Sequence, residues 1–144
     1  MPSWAEFAAA EPRLARQVEE RFALRKHKTL ATLRKDGSPR LSGIEIEFAD
    51  GELRLGMMPD SRKLMDLRRD PRMALHSPTD DPPIERPSAW HGEAKIAGRA
   101  LEIPGENRVR VDVEEVVFTH LNDAGDRLVV ESWHAGRGHN RIER

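Results

Sequence analysis

Two Asp-Gly dipeptides, Asp36-Gly37 and Asp50-Gly51, bracket a stretch of alternating apolar and polar residues. Asp-Gly between alternating segments is a strong short-range signal for a β-hairpin, because the tight turn needs positive φ angles that Gly and Asp tolerate. Between the two dipeptides, Ile44, Ile46 and Phe48 fall on one side of an extended chain, and Glu45 and Glu47 fall on the other. That is the period of a strand with one buried face. Thr29 to Arg34 is β-rich ahead of the first turn. Leu53, Leu55 and Met57 alternate with Glu52, Arg54 and Gly56 after the second. The chain is therefore committed to antiparallel strands joined by short turns.

The third of these strands runs into a corner and a helix. Pro59 ends the strand, and Asp60 or Ser61 suits an N-cap. Leu64 and Leu67 give an apolar stripe at helical spacing. Asp70-Pro71 stops the helix, since the residue before proline is pushed out of the α region. Arg62 and Lys63 thus stand in the first helical turn, where the helix dipole already places partial positive charge. Free backbone N–H groups, the Ser61 hydroxyl and two cations at one helix start suit an anion, most naturally a phosphate. A solvated basic turn is the competing reading of the same residues.

The remaining chain supplies more strands and two helices. Ser3-Trp4-Ala5-Glu6 is a capping box opening a helix to about Ala10. Pro12 suits the first turn of a second helix with Leu14, Val18 and Phe22 near one face. Strands are expected over 72–76, 90–103 with Gly98 as a bulge or bend, 109–120, and 128–134. The stretch 77–89 carries four prolines and little periodicity, and reads as a long surface loop. The organisation is one domain: N-terminal helices over 1–27, a β-barrel or sandwich over 28–134, and a Gly- and Arg-rich tail over 135–144.

Composition excludes several functions. With no cysteine there is no disulfide, thiolate nucleophile or zinc-thiolate site. A net charge of −1 provides no field that would draw the chain to nucleic acid or membrane. No leader pattern and no apolar run of membrane length is visible, so a soluble cytoplasmic protein is expected. The six histidines lack paired metal-ligand spacing, so no metal is expected. No serine sits in a Gly-x-Ser-x-Gly elbow, and no side chain is marked as a catalytic acid, base or nucleophile.

The ordered set Leu30-Ala31-Thr32-Leu33-Arg34, Asp36-Gly37-Ser38-Pro39, Asp50-Gly51, Ser61-Arg62-Lys63, Leu67 and Asp70-Pro71-Arg72 resembles the pyridoxamine 5′-phosphate oxidase family of FMN-binding split-barrel proteins. The resemblance covers roughly residues 28 to 103. It implies a mainly β fold, a six-stranded antiparallel Greek-key split β-barrel with flanking helices, assembled as a homodimer with cofactor grooves at the subunit interface. Carried over by position, Arg62 and Lys63 match the cations on the flavin phosphate, with Ser61 beside them. Ser42, Gly43, Ile44 and Glu45 open the strand segment that runs along the flavin ring. Gly56 and Met57 match a pair bordering the cofactor, Glu93 falls where longer oxidases carry Gln, and Trp133 resembles a late Trp beside the flavin. Where the longer oxidases carry Arg and Lys, this chain has Ser42 and Glu47, and so resembles the short branch of flavin and deazaflavin users. The implied function is a flavin-dependent oxidoreductase acting on a small molecule with FMN as cofactor. A deazaflavin-dependent reductase of the same fold, and a non-catalytic cofactor- or haem-binding module, are the alternatives.

Overall fold

The computed structural model describes residues 2–144. Helices α1 (Trp4–Ala10) and α2 (Pro12–Phe22) open the chain. Ser3 caps α1, its Oγ accepting from the Glu6 N–H at 3.2 Å, and Pro12 sits in the first turn of α2. Strands β1 (Lys28–Leu33), β2 (Pro39–Ile44), β3 (Ile46–Ala49) and β4 (Glu52–Gly56) follow, then α3 (Arg62–Arg69) and β5 (Arg72–His76). A single 3-10 turn spans Pro87–Ala89. Strands β6 (Glu93–Glu102), β7 (Arg108–Leu121), β8 (Leu128–His134) and β9 (Gly138–Glu143) complete the chain.

The fold is mainly β, one large antiparallel sheet with three α-helices. Among the described residues the sheet has nine strands where six were expected, and its ladder does not close into a barrel. Two local events add strands to those read from the sequence. The alternating stretch read as one strand breaks at Glu45 into β2, which pairs with β1, and β3, which pairs with β4. The strand expected over 109–120 forms as β7, bent by a bulge opposite Ala97 and Gly98. The tail, read as weakly structured, pairs with β8 as β9.

The ladder runs β2-β1-β5-β6-β7-β4-β3, with β8 and β9 added beside β7. Its two ends, β2 and β3, are thus consecutive in the chain and joined by the single residue Glu45. One continuous segment bridges the split between them without hydrogen-bonding across it. The Asp50-Gly51 turn has both residues at positive φ (53° and 76°), the two-residue hairpin geometry that Asp-Gly favours.

Alternation places one face of the strands in a single core. Leu30, Ile44, Leu53, Leu55, Leu75, Ile96, Val111 and Val116 are buried there, while Glu45 and Glu47 point out to solvent. Helices α1 and α2 plug the core with an aromatic cluster. Trp4 meets Phe7 and Phe48 (ring centroids 4.9 and 4.7 Å apart), and Phe7 meets Trp133 edge-on at 4.9 Å. On the outer face, register aligns Leu41 with Ala31, Ala31 with Ala74, and Ala74 with Ala97. This is a flat apolar row across four strands, with Leu41 73% exposed at its end.

Candidate functional site

A cleft of about 560 Å³ lies at the split. Its walls are Gly43 to Glu47 from β2 and β3, Gly56 to Met58 from the end of β4, Lys63 from α3, and Asn107 and Arg108 at the start of β7. His27 and Arg54 complete the rim. The volume falls within the ordinary range for a small-molecule site, roughly 300–1,000 Å³.

The corner between β4 and α3 sets one end of the cleft. The Ser61 N–H donates to the Met58 carbonyl at 3.2 Å, and Asp60 adopts a positive φ of 60°, which Asp tolerates better than most residues. Ser61 then caps α3, its Oγ accepting from the Leu64 N–H at 3.4 Å. Arg62 and Lys63 follow in the first turn, whose N–H groups have no intrahelical acceptor. Among the described residues neither cation has a carboxylate partner. By contrast Arg68 pairs with Glu102, and Arg69 with Asp66 and the Leu33 carbonyl. Lys63 Nζ stands 3.5 Å from the Gly43 carbonyl, spanning the mouth of the cleft from α3 to β2.

The strand walls lack a side chain at two positions, Gly43 and Gly56. A Cβ built on Gly43 or on Gly56 would meet nothing within 4 Å. Backbone without a side chain is therefore presented at one point on each of two strands, where a planar ring can approach closely. The charged rim is more neutral than the helix end. Glu47 pairs with Arg108 at 2.8 Å, Glu45 lies 3.5 Å from Lys26, and Arg54 lies 2.9 Å from Glu52.

Beneath α3 a buried carboxylate holds the helix to the sheet. Asp66 is 3% exposed and accepts from Thr32 Oγ1 of β1 at 2.8 Å and Arg40 Nε of β2 at 2.7 Å. Burial pushes its carboxyl up, but the bonds from Arg40, Thr32 and Arg69 outweigh it and hold the group below the usual carboxylate range.

The structure gathers part of the expected site. Gly43, Ile44, Glu45, Gly56, Met57 and Lys63 line the cleft. Ser61 and Arg62 precede Lys63 at the start of α3 without lining the cleft themselves, and Ser42 sits half-buried on β2 next to Gly43. Glu93 and Trp133 lie elsewhere. Glu93 begins β6, 3.5 Å from His76, and Trp133 is buried against Phe7 in the core. His27, Asn107 and Arg108 were not legible as site residues, because their positions beside the cleft depend on strands far apart in sequence. Among the described residues no cluster of ligating side chains could hold a metal ion, and no helix is long and apolar enough to cross a membrane.

Neither a protein-family sequence model nor a curated protein sequence matches the chain. Solved structures do. A pyridoxamine 5′-phosphate oxidase-related, FMN binding protein from Nostoc punctiforme superposes with a TM-score of 0.66 at 11% identity, covering 97% of this chain and 98% of that one. PhzG from Burkholderia lata, solved in complex with tetrahydrophenazine-1-carboxylic acid, gives 0.63 at 12% identity over 99% and 93% of the two chains. A heme binding protein from Mycobacterium smegmatis gives 0.57 at 14% identity over 99% and 88%. At these identities the likeness is one of architecture: the chain has the fold of the pyridoxamine 5′-phosphate oxidase-related FMN-binding proteins.

Proposed function

We propose that this protein is a flavin-dependent oxidoreductase that takes FMN into the cleft at the split and acts on a small molecule as a homodimer. The observation that carries the reading is the pairing of two carboxylate-free cations, Arg62 and Lys63, with bare strand backbone at Gly43 and Gly56. A phosphate suits the first, and a flat ring suits the second. When bound, the flavin would supply the hydride chemistry. The chain supplies the phosphate grip, ring orientation along Gly43–Glu47, and the Met57 wall that limits water. FMN-binding proteins of the same architecture support the reading.

The homodimer is supported by the row Leu41-Ala31-Ala74-Ala97. Its small side chains let a second sheet approach closely. Leu41 and Gly43 project to the same side of β2, so the row begins one step from the cleft. A second copy seated there would cover the open side of the cofactor.

The test is a pair of titrations, FMN and riboflavin, on wild type, Arg62→Ala and Lys63→Ala. A charge-assisted hydrogen bond contributes about 1.5–3 kcal/mol. Each variant should therefore lose roughly ten- to a hundredfold in FMN affinity. Riboflavin, which has the ring without the phosphate, should be hardly affected. Equal loss for both ligands, or none for either, sinks the phosphate assignment. Absorbance of the loaded protein separates flavin from a deazaflavin or from haem, for which His27 is the histidine lining the cleft.

A further inference from the structure

We propose that Asp66 is a positioning residue for the cofactor grip: it locks α3 against β1 and β2, and so sets where Arg62 and Lys63 stand relative to the wall at Gly43. The inference rests on reading the cleft as the cofactor site. Asp66 lies one helical turn beyond Arg62 and Lys63. Its Oδ2 accepts from Thr32 Oγ1 on β1 and Arg40 Nε on β2 at 2.8 and 2.7 Å. Arg40 belongs to the same strand as Gly43, whose carbonyl lies 3.5 Å from Lys63 Nζ. The same two elements, α3 and β2, are therefore linked twice, once at the buried base and once at the mouth.

Leu64 and Leu67 also hold α3 to the core. Apolar contact is non-directional, however, and tolerates rotation or sliding of a short helix. Charge-assisted bonds with fixed geometry do not. A buried ion pair often adds little stability over well-packed apolar residues. What it adds here is direction, at the helix whose first turn carries both unpaired cations. Arg69, which reaches Asp66 at 3.4 Å and the Leu33 carbonyl, ties the far end of the helix to β1 in the same way.

The experiment is a double-mutant cycle with FMN and riboflavin on wild type, Lys63→Ala, Asp66→Asn and the double variant. Asp66→Asn should weaken FMN by about tenfold or more and leave riboflavin within about twofold. Adding Lys63→Ala to Asp66→Asn should then cost less than about twofold, because the misplaced ammonium has already lost its contact. Equal weakening of both ligands by Asp66→Asn, or a Lys63→Ala loss that adds in full, overturns the proposal. Amide hydrogen exchange on the ligand-free protein provides a second readout. In Asp66→Asn the α3 amides should lose protection well beyond the core amide of Ile96, and a uniform loss across both overturns the proposal. If wild type binds neither FMN nor riboflavin, the cofactor reading falls, and the positioning role falls with it. Selective α3 loosening would then show only that Asp66 anchors the helix.

Discussion

Replacing Glu131 by glutamine removes one charge from the interior and nearly preserves the side chain's shape. Glu131 is 3% exposed on the core face of β8. Its Oε1 accepts from Arg13 of α2 at 2.7 Å and from His139 of β9 at 3.1 Å, and its Oε2 faces His120 of β7 at 3.2 Å. One carboxylate thus joins a helix to the two strands flanking β8. Burial pushes its carboxyl up, but hydrogen bonds from Arg13, His139 and His120 outweigh that and hold it below the usual carboxylate range. Arg13 is about half exposed, so its share is discounted towards the ~1 kcal/mol of a surface pair. With the two histidine bonds, Glu131→Gln should cost about 2–4 kcal/mol. For a slope of about 2 kcal/mol/M this moves the urea midpoint down by roughly 1–2 M. The pH dependence has a definite sign. A carboxyl depressed in the folded state contributes fully above its unfolded pKa, and the contribution is lost as pH falls through its folded pKa. Urea unfolding followed by tryptophan fluorescence, at about pH 5 and about pH 3, should therefore show a gap between wild type and variant that narrows at the lower pH. A gap of equal width at both, or none at the higher, refutes the reasoning.

Other outcomes follow from geometry. A Cβ at Gly98 would lie 2.0 Å from the Asp112 carbonyl oxygen inside the β7 bulge, so Gly98→Ala should lower the melting temperature by roughly 10 °C or prevent folding. Gly56→Ala, with nothing within 4 Å, should melt as wild type does. On the outer face, Ala74→Arg places a charge in the middle of the apolar row. Light scattering at micromolar concentration should report a dimer for wild type and a monomer for the variant, and a dimeric variant would place the interface elsewhere.

Much of the local structure was written in short-range sequence. Asp50-Gly51 allowed only a tight hairpin because both residues had to take positive φ. Ser61 and Asp70-Pro71 bounded α3 because a cap and a proline act on their immediate neighbours. The alternation from Ile44 to Phe48 assigned faces, and Glu45 and Glu47 do face solvent. Alternation says nothing of neighbours, however. A period of two is the same whether a strand pairs on one side or changes partner midway, so the break at Glu45, and the cleft it opens, required the whole ladder. The strand β9 was hidden for a related reason. Its residues are all exposed, so no hydrophobic pattern marks it, and its order comes from backbone pairing with β8. Trp133 gave no local sign of whether it would border a ligand or the core. Its place was decided by α1, which lays Phe7 against it. Nothing in the local sequence marks Asp66 or Glu131 as buried. Only the tertiary structure buried them, because Arg40, Thr32, Arg13, His120 and His139, which make burial of their charge tolerable, come from other strands and helices.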